Sequence, residues 1–197
     1  MTTQTFVLAV HLLGCAFGIG ASTILDLRVL QLLSGRRVST EDVVFAQLLG
    51  WFVRGGLALL WLSGLCFLVR YWYFAPELLG NPKLHAKIAV VLTLTLNGLV
   101  IEFVALPLLV RQQGRALFDG LPRSMQVGVL IAGAVSATSW YGAFALGITR
   151  ELNFAVSSGV ILAAYLILLV SACCVGLLVR QVFYRPGRFK AVQTVIN

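Results

Sequence analysis

Residues 5–33 read TFVLAVHLLGCAFGIGASTILDLRVLQLL, a stretch that is apolar along almost its whole length. An α-helix needs about 20 mainly apolar residues to cross the hydrocarbon layer of a bilayer, and this stretch exceeds that length. Four runs of the same kind follow, at residues 43–72, 84–110, 122–148 and 154–183. The pattern predicts an all-α fold in which residues 1–197 form a single transmembrane domain, a bundle of five spanning helices.

The composition excludes a water-soluble globule. Hydrophobic residues make up 59% of the chain and charged residues only 11%, whereas charged residues are about 25% of a soluble domain. The formal net charge is +8, and in a membrane chain a basic balance concerns orientation and lipid contact. We therefore expect membrane lipid as a partner and no nucleic acid, and leave open a homo-oligomer or a larger membrane complex.

Lysine and arginine residues are divided unequally between the two ends of the predicted bundle. Ten lie with the first and third connectors and the C-terminal tail, and four lie at the end that holds the N-terminus. Because cytoplasmic loops carry the excess of basic residues, the N-terminus is predicted outside and the C-terminus in the cytoplasm of a bacterial-type inner membrane. The ten are Arg28, Arg36, Arg37, Arg111, Arg115, Arg123, Arg180, Arg185, Arg188 and Lys190, and the four are Arg70, Lys83, Lys87 and Arg150.

The chain has two histidines, His11 in the outer half of the first helix and His85 near the outer start of the third. At 1.5 Å per residue they lie within about one turn of the same depth. Histidine is a common axial ligand of haem iron, and bundles build cofactor sites from side chains on facing helices. We expect His11 and His85 to be metal ligands to one haem b. The alternative is that each histidine only forms an interhelical hydrogen bond or lies at the membrane interface.

Three further residues are candidates for the same cofactor site. Gly14 and Gly18 form a G-x-x-x-G step beside His11, which either admits a flat macrocycle or packs closely against another helix. Lys87 is a cation at the outer end, where haem propionates need partners and where snorkelling anchors also lie. At 100° per residue Lys87 is about 200° from His85, so both side chains cannot face one ligand directly.

A second group of ionisable residues is predicted inward of the membrane centre. Asp26, Arg54 and Glu102 lie on three different helices at depths that differ by about 6 Å. Because a lone charge in hydrocarbon is costly, we expect a paired network of all three. The network either holds the helices in register, or serves as a proton relay or as a site for an anionic or quinone head group. As possible proton-relay residues, these three are the catalytic candidates.

Several motifs lie in the first half of the chain: HLLG at 11–14, Arg28, GG at 55–56, GL at 64–65 and LHAKI at 84–88. With these motifs, residues 5–110 resemble the HemJ-type membrane protoporphyrinogen IX oxidases and, more loosely, CopD-like membrane proteins. The resemblance implies that His11 and His85 are associated with haem b and that Lys87 is the motif lysine. It also implies a haem-dependent membrane oxidoreductase with a porphyrin or quinone substrate.

Three classes of function remain open. The favoured class is a haem b protein in electron transfer or quinone-linked oxidation, with the protein tuning the cofactor through its ligands and its burial. A CopD-like copper protein would use Cys15 beside the histidines, but Cu(I) also favours methionine and the chain has only Met1 and Met125. The third class is a non-catalytic subunit of a membrane complex that packs through the small residues of the fourth helix.

Overall fold

A computed structural model describes residues 3–183 of the chain. All long elements in that range are helices, and five of them are long and apolar enough to cross a membrane. The predicted all-α class and the number of candidate spanning helices are therefore confirmed. Arg185, Arg188 and Lys190 of the orientation argument lie outside the described residues. The helices are α1 (Thr3–Leu33), α2 (Thr40–Phe74), α3 (Pro82–Arg111), α4 (Arg123–Ile148) and α5 (Ser158–Phe183).

Local signals in the connectors account for where the helices begin. Ser39 is the N-cap of α2, and its hydroxyl accepts from the backbone N–H of Asp42 while the Asp42 carboxylate accepts from the backbone N–H of Ser39. Asn81 caps α3 in front of Pro82 at the first helical position. The largest difference from the predicted bounds is at α5, which begins at Ser158 rather than at 154. Phe154 has a φ of 56°, and a left-handed residue ends or precedes a helix.

The third spanning helix changes its winding before its end. It is α-helical over Pro82–Val100, forms a π turn over Ile101–Ala105 and returns to an α-helix over Leu106–Arg111. Pro107 is the second residue after the turn and has no N–H for an i−4 hydrogen bond. The backbone N–H of Leu106 instead donates to the carbonyl of Ile101, five residues back. The π turn therefore accommodates a proline inside a spanning segment.

The packing order of the helices places α4 at the centre of the described bundle. The α1 helix packs most extensively against α2, and α4 packs against α1, α3 and α5. Long side chains connect α2 with α3, including a hydrogen bond from the Trp61 indole N–H to the Thr95 hydroxyl at 3.0 Å. Leu60, Leu94 and Trp140 form a buried core cluster where α2, α3 and α4 approach each other. We call these three residues the central apolar cluster.

The bundle has an N-terminal end and a C-terminal end. The N-terminal end holds the start of α1 and the connectors α2–α3 and α4–α5, and the C-terminal end holds the other two connectors and the end of α5. At the C-terminal end the connectors pair with each other, since the N–H of Val38 donates to Arg115 O at 2.9 Å and the N–H of Gly114 donates to Val38 O at 2.8 Å. A buried hydrophobic core at this end contains Leu32, Val38 and Phe118.

Candidate functional site

The His11 imidazole lies between α1 and α2 in the N-terminal half of the bundle. Its Nδ1 is 2.8 Å from the Ser63 hydroxyl oxygen. The same hydroxyl is 2.5 Å from the carbonyl of Leu59, one turn earlier on α2. The ring also makes an edge-to-face contact with Phe67 on α2, with 5.7 Å between the ring centroids.

These contacts assign the tautomer of the neutral ring. A carbonyl only accepts, so the single hydroxyl hydrogen of Ser63 goes to Leu59. The Ser63 oxygen must then accept from His11, which places the imidazole hydrogen on Nδ1. In this tautomer the lone pair of Nε2 takes part in none of the hydrogen bonds within residues 3–183. Histidines that ligate metals are held in this way, with the second ring nitrogen donating to a fixed oxygen.

The His85 ring lies in a different environment. It is exposed, and its Nε2 is 2.9 Å from the carbonyl oxygen of Leu79, in the connector that precedes α3. Since the carbonyl only accepts, Nε2 carries the hydrogen. The ring thus contacts the connector of its own helix, whereas His11 contacts α2. The side-chain contacts therefore do not bring the two imidazoles together.

Lys87 and His85 lie on opposite sides of α3. The Lys87 side chain is half-buried on α3. None of the ion pairs within residues 3–183 includes Lys87. We call His11, Ser63 and Phe67 the His11 cluster.

Gly14 and Gly18 serve helix packing. A Cβ on Gly14 would lie 2.9 Å from the carbonyl oxygen of Gly56, and a Cβ on Gly56 would lie 2.8 Å from the backbone nitrogen of Gly18. A Cβ on Gly18 would also overlap the ring of Trp140. The space beside both glycines is filled by α2 and α4, which corrects the expectation that they admit a macrocycle. Small residues of this kind let two backbones approach each other.

The second group of ionisable residues forms a pair and not a network of three. The Arg54 guanidinium of α2 donates to the Glu102 carboxylate, which lies in the π turn of α3. Arg54 also lies over the Trp51 ring, with its Cζ 4.4 Å from the ring centroid. Asp26 lies beside α4, since a Cβ added to Gly133 of α4 would be 3.9 Å from the Asp26 Oδ1. Asp26 has no ion pair within residues 3–183. The predicted network is thus corrected for Asp26, because α1 faces α4 at this depth.

An apolar layer separates the His11 cluster from the Arg54–Glu102 pair. Along α2 the order is Ser63, Leu60 and Arg54, and along α3 it is Lys87, Leu94 and Glu102. Leu60 and Leu94 belong to the central apolar cluster in both cases. Proton transfer between the two groups would have to cross this layer, so they are best treated as separate sites.

For a haem b, the side-chain contacts favour one histidine over a facing pair. His11 offers a partly buried, oriented imidazole with Nε2 available, whereas the Nε2 of His85 is engaged by Leu79. No group of three or more His, Cys, Asp or Glu side chains in the described part of the chain is arranged to hold a metal ion. If haem b is bound, His11 is the residue that would hold its iron.

Sequence reasoning missed the residues that orient His11. Ser63 and Phe67 lie one turn apart on α2, on the face that meets α1. Ser63 carries a lone hydroxyl group inside an apolar run of the sequence, and this was the available signal for a polar partner of His11. The signal for the π turn was Pro107 inside the predicted helix 84–110.

Comparisons of this chain with protein-family models, curated proteins and solved structures found no match. The resemblance to HemJ-type and CopD-like proteins therefore stays a prediction that depends on the motifs themselves.

Proposed function

We propose that this protein binds haem b in the N-terminal half of a five-helix membrane bundle, where His11 would hold the haem iron, and acts in electron transfer or quinone-linked oxidation. The observation that carries the proposal is the orientation of His11 by Ser63, which leaves Nε2 as an available ligand atom. When bound, haem supplies one-electron chemistry at its iron.

The residues around His11 would perform separate tasks in such a site. Ser63 holds the imidazole in one tautomer and one orientation. Phe67 packs against the edge of the ring and limits its rotation. Lys87, a half-buried residue of α3 with no ion pair within residues 3–183, would pair with a carboxylate of a bound ligand.

The orientation and location of the protein belong to the same proposal. The excess of arginine at the C-terminal end supports a cytoplasmic C-terminus and an outer N-terminus in a bacterial-type inner membrane. Reporter fusions to the α1–α2 and α2–α3 connectors test this orientation. A reporter active only in the cytoplasm should work after Gly35 and fail after Gly80, and the reverse result would contradict the proposed orientation.

The test of haem binding is a visible spectrum of the detergent-purified protein, oxidised and then reduced with dithionite. The wild-type protein should show the bands of a b-type haem, and His11→Ala should lose them. His85→Ala is the matched control and should keep them, because the His85 ring contacts Leu79 and not the His11 cluster. Circular dichroism of each variant verifies that the helices remain.

Two outcomes would overturn the proposal. One is a colourless wild-type protein after expression with added haem precursor. The other is a folded His11→Ala variant that keeps the full spectrum. Loss of haem in both histidine variants would instead restore the predicted facing pair and require that His85 leave the Leu79 carbonyl on binding.

A further inference from the structure

A groove of about 630 Å³ runs between α1 and α2 at the N-terminal end of the bundle. Away from that end, the walls of the groove are apolar and include Val7 of α1 with Leu62, Leu65 and Val69 of α2. Leu62 and Val69 are largely exposed on the outside of the bundle. Because both helices are candidate membrane spans, this exposed side faces lipid. The volume is in the range of ligand sites for small molecules.

The part of the groove nearest the N-terminal end of the bundle combines a hydrogen-bond donor with aromatic rings. The Arg70 guanidinium donates to the side-chain oxygen of Gln4 at 3.1 Å and lies over the Phe74 ring, 5.8 Å from its centroid. Arg70 has no ion pair within residues 3–183. A guanidinium has five N–H donors, so further donors remain for the oxygen atoms of a ligand. Tyr73 also lines this part of the groove.

Phe67 connects the groove with the His11 cluster. Its side chain lines the groove, and its ring meets the edge of the His11 imidazole at 5.7 Å between centroids. Phe67 also stacks on Tyr71, with the ring centroids 6.3 Å apart. A ligand at the head of the groove would thus be separated from His11 by one aromatic side chain.

We propose that this groove binds a membrane quinone with an isoprenoid tail. The flat head group would lie among the aromatic rings, with a carbonyl oxygen accepting from Arg70. The tail would lie along the apolar wall formed by Val7, Leu62, Leu65 and Val69. This inference rests on the proposed function, since a quinone is a redox partner that reaches a protein through the bilayer.

A quinone matches the groove better than a phospholipid does. Among the described residues, Arg70 is the one cationic residue that lines the groove, and it already donates a hydrogen bond to Gln4. Three aromatic side chains line the same end, those of Phe67, Tyr73 and Phe74. A phosphate group would favour several cationic donors, whereas a neutral aromatic carbonyl compound needs one donor and flat apolar surfaces. The continuity with His11 through Phe67 adds a functional reason for a redox-active occupant.

The proposal is tested by photolabelling the full-length protein in detergent with an azido derivative of a short-chain ubiquinone. Mass spectrometry of the digested protein should place the label within residues 62–74 or near Val7. An excess of unmodified short-chain ubiquinone should reduce labelling at least fivefold. Arg70→Met should lower the labelled fraction several-fold. Arg150→Met, which removes a cation of the α4–α5 connector at the same end, should leave it unchanged.

A second pair of variants fills the groove without removing the arginine. Cys66 and Cys174 are both exposed cysteines of spanning helices, but only Cys66 lines the groove. Cys66→Trp should abolish the displaceable labelling, and Cys174→Trp should preserve it. Thermal unfolding of both variants verifies that the fold is intact.

Three results would overturn the quinone site. The first is label spread over the lipid-facing side of α5 that unmodified ubiquinone does not displace. The second is equal displacement by phosphatidylglycerol, which would assign the groove to lipid. The third is unchanged labelling in Cys66→Trp. Labelling of the groove does not require haem, so the two proposals can fail separately. A colourless protein that is labelled in the groove would refute the haem proposal alone. A haem-containing protein without displaceable label would refute the quinone proposal alone.

Discussion

The ring of Trp140 on α4 packs directly against the backbone of Gly18 on α1. Trp140 is 1% exposed and also belongs to the central apolar cluster. The contact exists because Gly18 has no side chain, and it holds α4 against the α1–α2 pair. The glycine is therefore a packing residue, and the contact gives a sharp test of the fold.

We expect Gly18→Ala to destabilise the protein by about 1–3 kcal/mol, because the added methyl group overlaps a buried ring that has no free space to enter. Gly20→Ala is the control on the same helix, since a Cβ there meets no atom within 4 Å. That control should leave stability unchanged or raise it slightly through better helix propensity. Unfolding in detergent by titration with sodium dodecyl sulfate measures both variants, and equal stabilities would contradict the packing.

The Arg54–Glu102 ion pair predicts a double-mutant cycle. Arg54→Gln and Glu102→Gln should each reduce stability, since each leaves the other charge alone in a spanning segment. The double variant should be less destabilised than the sum of the single variants, with a coupling energy of about 1 kcal/mol. Additive effects would show that the two residues do not interact.

Asp26 should behave differently from Glu102. It has no ion pair within the described residues, and a carboxylate in a spanning helix is costly without a partner. We expect Asp26→Asn to leave stability unchanged or to raise it, measured by the same detergent titration. A loss as large as that of Glu102→Gln would place Asp26 in the network that the sequence predicted.

Asp42 supports the C-terminal end of the bundle. Its fully buried carboxylate accepts from Arg28 at 2.6 Å and from Arg36 at 3.4 Å, and it also completes the cap of α2. Asp42→Asn should cost about 1–3 kcal/mol, because it weakens the cap and both charged hydrogen bonds. The neighbouring Glu41→Gln, at an exposed position, is the control and should change thermal unfolding little.

The two histidines should differ in their neutral tautomers. Nitrogen-15 NMR of histidine-labelled protein at alkaline pH should show the Nδ1–H form for His11 and the Nε2–H form for His85. Ser63→Ala should remove the preference at His11 and leave His85 unchanged. His85→Ala identifies the remaining signal as His11, and an Nε2–H form there would contradict the assigned hydrogen bond.

Most of the fold follows from the apolar runs of the sequence. Five runs long enough to cross a bilayer predict five helices, since lipid offers no partners for backbone groups and a helix satisfies them internally. The bounds are close to the predicted ones, except where Phe154 adopts a left-handed conformation before α5. The π turn inside α3, next to Pro107, was not predicted.

The partners of the polar side chains could be predicted only in part. Depth follows from position in a helix, and depth correctly placed Arg54 near Glu102. Depth also placed His11 near His85, but their rings have separate contacts. The difference lies in rotation about the helix axis, because a turn of 100° per residue decides which neighbour a side chain meets.

By itself, the sequence determined that the chain is a helical membrane protein and which residues have the chemistry for a site. Only the tertiary structure decided that Gly14 and Gly18 pack helices, that Asp26 lies apart from the ion pair and that Ser63 orients His11. The physical reason is that hydropathy and length depend on composition along one helix, whereas contacts depend on how each helix is rotated against its neighbours.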